Sequence, residues 1–320
     1  MLRAFNFQDN RVNEIRFAGE ELAETITAAT WIDVLDPTEE ERDQLEQYLR
    51  TELPESDDVG EIESSARYFI DSAGLHVHSL FLGQSEGRHI NVTVAFILQP
   101  ERLISLRDED SPDFRLLRMR ARRGQIEASS PLEFLLSIFE NKVENLADIL
   151  EDIHRELEKV SEMVLEEPEG REGHLEEAIG DLARLENSNG KVRLCLMDTQ
   201  RSISFLQKHQ RYSADHFAAA SDILRDVESL LTHTTFLFEK INFLMDAAQG
   251  FINIEQNKVI KIFSIAAVVF LPPTLVASIY GMNFEAFPEL QWRFGYLWAL
   301  ALMLISGIAP YLFFKRKGWL

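Results

Sequence analysis

The sequence has only one cysteine, Cys195, among its 320 residues, so no disulfide can form within the chain. A single thiol is typical of proteins in a reducing cytoplasm, and its apolar neighbours predict a packed core position for Cys195. The sequence also lacks a glycine-rich phosphate loop, an HExxH metal motif and a nucleophile elbow. We therefore predict a protein that is not an enzyme and has no nucleotide partner.

Basic residues are scarce, since 32 Lys and Arg stand against 53 Asp and Glu, for a net charge of −21. From residue 258 onward there are six basic and two acidic residues, which leaves 26 and 51 in residues 1–257 and a net charge of −25 there. Such a domain repels nucleic acid and anionic lipid and accumulates cations. No nucleic-acid partner is expected.

Charge is missing altogether from two apolar runs near the C-terminus, Ile262–Tyr280 and Phe294–Phe314. As helices they reach roughly 28 and 31 Å, about the thickness of the hydrocarbon core of a bilayer. Trp292, Tyr296 and Trp298 gather at one edge of the second run. We predict two transmembrane helices and a lipid bilayer as a partner.

Lysines before the first span and the run Lys315–Lys317 after the second predict that both ends lie in the cytoplasm. The protein is then a multi-pass protein of the plasma (inner) membrane, with its bulk inside and a short loop outside.

Hydrophobic periodicity divides the chain into six parts. We predict a membrane protein of the α+β class, with a mixed α/β domain at 1–125, an acidic helical hairpin at 126–211, a long stalk helix at 212–280 that becomes the first span at 262–280, a loop at 281–293, a second span at 294–314 and a basic tail at 315–320.

One face of the long helix carries small and polar residues from the predicted stalk into the membrane. Alternating steps of three and four give what we call the polar column: Asn253, Asn257, Ile260, Ser264, Ala267, Leu271, Thr274 and Ser278. A face turned to lipid would not place these residues in one line, so the column is predicted to face protein or water. Close helix packing and a pore both fit this pattern.

The tetrapeptide Tyr280–Asn283 ends the first span, and it resembles the signature of the CorA family of magnesium/cobalt transport proteins. Phe284, Glu285, Pro288, Glu289 and Leu290 after it, and the basic tail, are also similar to that family. The resemblance implies a homopentameric channel for Mg²⁺, and also Co²⁺ and Ni²⁺, lined by the first span. It makes Gly281, Met282 and Asn283 the selectivity motif.

Magnesium prefers oxygen ligands and sheds water reluctantly, so Asn283 amides at a pore mouth suit a hydrated ion. Glu285 and Glu289 in the outer loop are predicted to concentrate arriving cations. The resemblance also implies that cytoplasmic Mg²⁺ regulates gating. Candidate ligands for that regulatory ion are Glu61, Asp222, Asp226 and Asp246.

Two alternatives stay open from the sequence. A zinc transporter of the same superfamily would share the Gly-Met-Asn motif, although the polar column offers neither His nor Cys. A membrane-anchored helical scaffold or sensor without conduction would explain the long helix and the acidic domain, but not the polar column.

Overall fold

The computed structural model describes residues 1–8, 11–15, 22–49, 53, 67–165, 171–283 and 288–318. The strands are β1 (Leu2–Gln8), β2 (Arg11–Ile15), β3 (Trp31–Leu35), β4 (Tyr68–Ile70), β5 (Leu75–Ser85), β6 (Arg88–Leu98) and β7 (Leu103–Arg107). The helices are α1 (Leu22–Ala28), α2 (Glu39–Leu49), α3 (Pro112–Arg122), α4 (Pro131–Leu165), α5 (Arg171–His209), α6 (Ala214–Tyr280) and α7 (Gly295–Arg316), with a 3₁₀ turn at Pro288–Gln291. The predicted α+β fold with two C-terminal apolar helices is confirmed.

The described strands form one mixed sheet in the order β2-β1-β3-β7-β6-β5-β4. Only β3 and β7 pair in parallel, with Asp33 opposite Ser105. The long β5–β6 hairpin turns at Glu86 and Gly87, whose φ angles are 50° and 74°. Two successive positive φ values give a tight turn with the same twist as the strands it joins, and this fixes the hairpin register.

Both faces of the sheet are covered by helices. Ile26 of α1 and Leu45 of α2 pack with Ile32, Val34 and Ile104 in one apolar cluster. The opposite face is aromatic: its close ring contacts join Phe5 to Trp31, Trp31 to Phe134, Phe81 to Phe114, and Phe96 to Phe139. These contacts hold α3 and α4 against the strands.

A buried charge network joins the sheet to α4 and α5. The carboxylate of Asp198 on α5 accepts hydrogen bonds from the Ser79 hydroxyl at 2.6 Å, the Leu80 amide at 2.8 Å and the Tyr68 hydroxyl at 2.9 Å. Lys142 of α4, fully enclosed, donates to Ser79 at 3.0 Å. A buried charge is tolerated only when it is paired and hydrogen-bonded, so the network specifies one packing of these elements.

The helices α4, α5 and α6 present apolar residues to one another at spacings of three and four. Their buried positions include Leu150, Leu157, Leu182, Leu196, Val227 and Leu244. Cys195 lies in this core, as predicted, and burial raises the pKa of its thiol to about 12. Along α6 the buried positions end at Ala248.

Candidate membrane pore

The membrane part of α6 has one covered face and one open face. Half-buried positions are Ile265, Val269, Pro272, Pro273, Val276 and Tyr280. Val269 and Pro273 line an apolar groove against α7, together with Leu300, Met303 and Gly307. At 3.6 residues per turn, the polar column lies on the opposite side of the helix from this covered face.

Every member of the polar column is exposed within a single chain. This includes two large apolar side chains, Ile260 at 61% and Leu271 at 65% exposure. The Thr274 hydroxyl donates to the Phe270 carbonyl of its own helix at 2.8 Å. The face that the sequence marks as polar is therefore the face that α7 leaves free.

Pro272 and Pro273 lie inside a helix that remains continuous to Tyr280. Each proline lacks the backbone N–H that would bond the carbonyl four residues earlier, so the carbonyls of Val268 and Val269 lose their helical donors. In a membrane such carbonyls are tolerated where protein or water satisfies them.

The Gly-Met-Asn motif directly follows the end of α6 at Tyr280. The Gly281 amide donates to the Ala277 carbonyl at 3.0 Å, the Met282 amide donates to the Ile279 carbonyl at 3.2 Å, and Asn283 is exposed. A turn at the end of the span predicts a positive φ at Gly281, but Gly281 is not among the described residues with positive φ. A Cβ there would lie 3.2 Å from the Ala277 carbonyl oxygen, so a larger residue would require this turn to shift by a few tenths of an ångström.

The structure describes one of the two outer-loop acids, and only through its backbone. Glu285 lies outside the described residues, and the backbone of Glu289 belongs to the 3₁₀ turn Pro288–Gln291.

The regulatory candidates fall in different places. Asp222 and Asp226 line a groove between α4 and α6 with a volume of about 230 Å³, which they share with Glu140 and Glu144. We call these four carboxylates the acidic groove. Asp246 is exposed further along α6, and Glu61 lies outside the described residues.

Repulsion is evident within the acidic groove. Burial, followed by the charges of Glu144, Asp222 and Asp226, raises the pKa of Glu140. Arg225 partly offsets the repulsion by pairing with Asp222 at 3.0 Å. Among the described residues, no group of three His, Cys, Asp or Glu side chains is arranged to hold a metal within one chain.

Sequence reasoning missed Glu140 and Glu144, because both belong to a helix with many acidic residues and nothing local distinguishes them. Their contact with α6 depends on tertiary packing.

The most apolar stretch of α6 has a mean hydropathy of 2.2, and that of α7 has a mean hydropathy of 2.0. Within the described chain, 0% of the residues in the α6 stretch and 6% of those in the α7 stretch are buried. Water cannot accommodate so much uncovered apolar surface, whereas lipid can. Fold and site together define an integral membrane protein whose first span keeps a polar face free of its own second span.

Known proteins agree with that class. Residues 27–316 match the family model described as CorA-like Mg²⁺ transporter protein. The chain is 48% identical over 321 residues to the magnesium transport proteins CorA of Salmonella typhimurium and Escherichia coli K12, with full coverage of both. The complete CorA structure from Methanocaldococcus jannaschii covers the whole chain with a TM-score of 0.76 at 18% identity. The chain belongs to the CorA family, as the Gly-Met-Asn resemblance predicted.

Proposed function

We propose that the protein carries Mg²⁺, and also Co²⁺ and Ni²⁺, across the plasma (inner) membrane through a pore lined by α6. The observation that supports this most directly is the polar column, which is exposed on the side of α6 opposite α7. One chain supplies a single such face, so a pore requires several copies, and a homopentamer is proposed from the family.

The donors in this pore suit a hydrated, oxygen-preferring ion. Asn253, Asn257, Ser264, Thr274 and Ser278 offer amides and hydroxyls, while the polar column contains no His or Cys. Zinc favours nitrogen and sulfur ligands, so magnesium is the better match. Asn283 at the end of α6 forms the outer mouth and contacts the ion through its water shell.

The same proposal includes orientation and regulation. Both termini lie in the cytoplasm, because basic residues flank both spans on that side. Mg²⁺ bound by carboxylates between neighbouring chains, with Asp222 and Asp226 among them, holds the pore closed. When the ion leaves, like charges repel and the interface opens.

Ion uptake into proteoliposomes containing the full-length protein tests the function. Mg²⁺-dependent fluorescence should rise in loaded vesicles and not in empty ones, and Zn²⁺ at the same concentration should give a smaller signal. Zn²⁺ uptake faster than Mg²⁺ uptake would favour the zinc transporter. No uptake of either ion by a correctly assembled oligomer would favour the scaffold.

A further inference from the structure

A pocket of about 360 Å³ on the α/β unit is lined almost entirely by arginine: Arg3, Arg115, Arg118, Arg122 and Arg123, with Met119. We call it the arginine pocket. Arg115, Arg118 and Arg122 follow one another at spacings of three and four, so they form one stripe along α3. Arg3 joins them from β1, where it lies opposite Asp33 of β3. In a chain with a net charge of −21, this is a local reversal of sign.

Carboxylates neutralise the arginine pocket only in part. Arg118 bonds Asp110 at 3.0 Å and Asp33 at 3.3 Å, and Arg122 bonds Glu14 at 2.6 Å. Asp33 is also paired with the fully buried Arg107, so its charge is already shared. Arg115 lies 3.8 Å from Asp110 and remains 60% exposed.

Two of the five guanidinium groups have no ion pair with the residues that the structure describes. Arg123 is exposed, and the hydrogen bonds of its backbone N–H end α3. Arg3 is half-buried, and within the described part of the chain its guanidinium donates only to the Met1 sulfur at 3.6 Å. Burial, followed by the positive charges of Arg118 and Arg122, lowers the pKa of Arg3, although the charges of Asp33 and Glu14 act in the other direction. The arginine pocket thus has an excess of positive charge that its own carboxylates leave uncompensated.

The arrangement of the arginines along α3 indicates which kind of anion they can bind. Arg115 and Arg122 are seven residues apart, roughly 10 Å along the helix, which is a longer path than one phosphate group covers. Guanidinium forks bind phosphate oxygens through two parallel hydrogen bonds. The sequence-based expectation of no nucleotide partner rested on the missing phosphate loop, and an arginine cluster binds phosphate without one.

We propose that the arginine pocket is a binding site for a soluble polyphosphate, either inorganic or the triphosphate of a nucleotide. Arg118, held by two carboxylates, forms the floor of the site. The freer groups of Arg3, Arg115 and Arg123 supply the contacts.

Calorimetric titration of the full-length protein in detergent, in EDTA buffer free of Mg²⁺, tests this proposal without measuring ion flux. Inorganic tripolyphosphate and ATP should bind at least tenfold more tightly than inorganic phosphate. Arg115→Ala and Arg123→Ala should each weaken tripolyphosphate binding five- to tenfold. Arg155→Ala and Arg184→Ala, which remove exposed arginines from α4 and α5, should leave it unchanged.

Three results would overturn the proposal. The first is that tripolyphosphate does not bind, or that it binds equally well to the Arg115→Ala and Arg123→Ala variants. The second is loss of the oligomer in the Arg115 and Arg123 variants on size-exclusion chromatography, which would assign these arginines to a second copy of the chain. The third is tenfold weaker tripolyphosphate binding in phosphatidylglycerol nanodiscs than in phosphatidylcholine nanodiscs, which would show that lipid headgroups occupy them.

Discussion

Asn283 is the residue on which the proposed pore mouth depends most. Its side chain is exposed at the end of α6, and it can hydrogen-bond to the water shell of an ion. Asn283→Ala should abolish Mg²⁺ uptake in proteoliposomes while the oligomer still assembles. Gln291→Ala, which also removes an exposed amide from the loop, serves as the control. Normal uptake by a well-expressed Asn283→Ala protein would contradict the proposed mouth.

Asp113, in the first turn of α3, predicts a pH dependence of stability. Burial raises the pKa of its carboxyl to about 6, although Lys142 and a hydrogen bond from Asn145 act in the other direction. A raised pKa means that the folded state prefers the protonated form, so stability is lost as pH rises from about 4 through 6.

Asp113→Asn should therefore stabilise the protein by about 3 kcal/mol at pH 7.5 and by almost nothing at pH 4. Thermal unfolding at the two pH values measures this, with Asp152→Asn at an exposed position as the control. An equal effect of Asp113→Asn at both values would show that the carboxyl is not the cause.

At this scale the sequence predicted some residues and not others. Cys195 was expected in the core and is buried there. The predicted positive φ at Gly281 is wrong, and a Cβ there would instead lie 3.2 Å from the Ala277 carbonyl oxygen. The identity and spacing of residues predict which side chains are buried. A contact of 3.2 Å depends on the exact positions of the atoms in the folded chain.

Among the elements, α6 carries the proposed gate. Leu271 interrupts the polar column and is 65% exposed in one chain, so a ring of these side chains from several copies would close the pore by dewetting. Leu271→Ser should raise Mg²⁺ leak into proteoliposomes. Leu304→Ser changes the same residue type at 64% exposure on α7 and should not. Equal leak in both variants would place the gate elsewhere.

The contact between α6 and α7 depends on Gly307. A Cβ at this position would lie 3.2 Å from Cγ of Pro273 and 3.5 Å from the Val269 carbonyl oxygen. Gly307→Ala should therefore push the two helices apart and lower both the oligomer yield and uptake.

Gly250 offers the matched control, because nothing lies within 4 Å of a Cβ placed there. Gly250→Ala should leave uptake unchanged and stabilise α6 by about 1 kcal/mol through helix propensity. Similar losses in the two variants would show that the close contact is not the cause.

Elements with strong apolar patterns were predicted well. Strand-like apolar runs predict strands at Trp31–Leu35, Leu75–Leu82 and Val92–Leu98. The structure has a strand at Trp31–Leu35 and ends α6 at Tyr280. The β5–β6 hairpin extends to Ser85 and Arg88, beyond the predicted strands, because its polar tip residues continue the pairing. The strand β1 (Leu2–Gln8) was missed, since its partners β2 and β3 lie on both sides of it only after folding.

On the scale of the whole molecule, the net charge of a domain does not show where its acidic and basic residues gather on the surface. The net charge of −25 in residues 1–257 predicted a domain that accumulates cations. Folding separates that charge into the acidic groove between α4 and α6 and the arginine pocket beside β1. The acidic groove combines two helices that are far apart in the sequence, so only tertiary structure reveals it. Four of the five arginines of the arginine pocket lie within residues 115–123, and folding adds Arg3 to them.

The acidic groove leads to a regulatory prediction for the assembled channel. Asp222 and Asp226 are more than 60% exposed, so they are accessible to a Mg²⁺ ion shared with another chain. Carboxylates 10 Å apart repel by roughly 1.7 kcal/mol per pair at an effective dielectric constant near 20. Several pairs around a ring would then favour an open interface when Mg²⁺ leaves, and a closed one when it returns.

Asp222→Lys with Asp226→Lys should therefore abolish inhibition of the Mg²⁺ current by internal Mg²⁺, because the added positive charges repel the ion and Mg²⁺ can no longer hold the interface closed. Patch recording at several internal Mg²⁺ concentrations measures this. Asp152→Lys, an exposed position on α4, controls for the change in net charge. Glu61→Ala tests the candidate outside the described residues in the same recordings. Full inhibition in the double variant, with the oligomer intact, would remove both aspartates from the regulatory site and direct the search to Glu61 and Asp246.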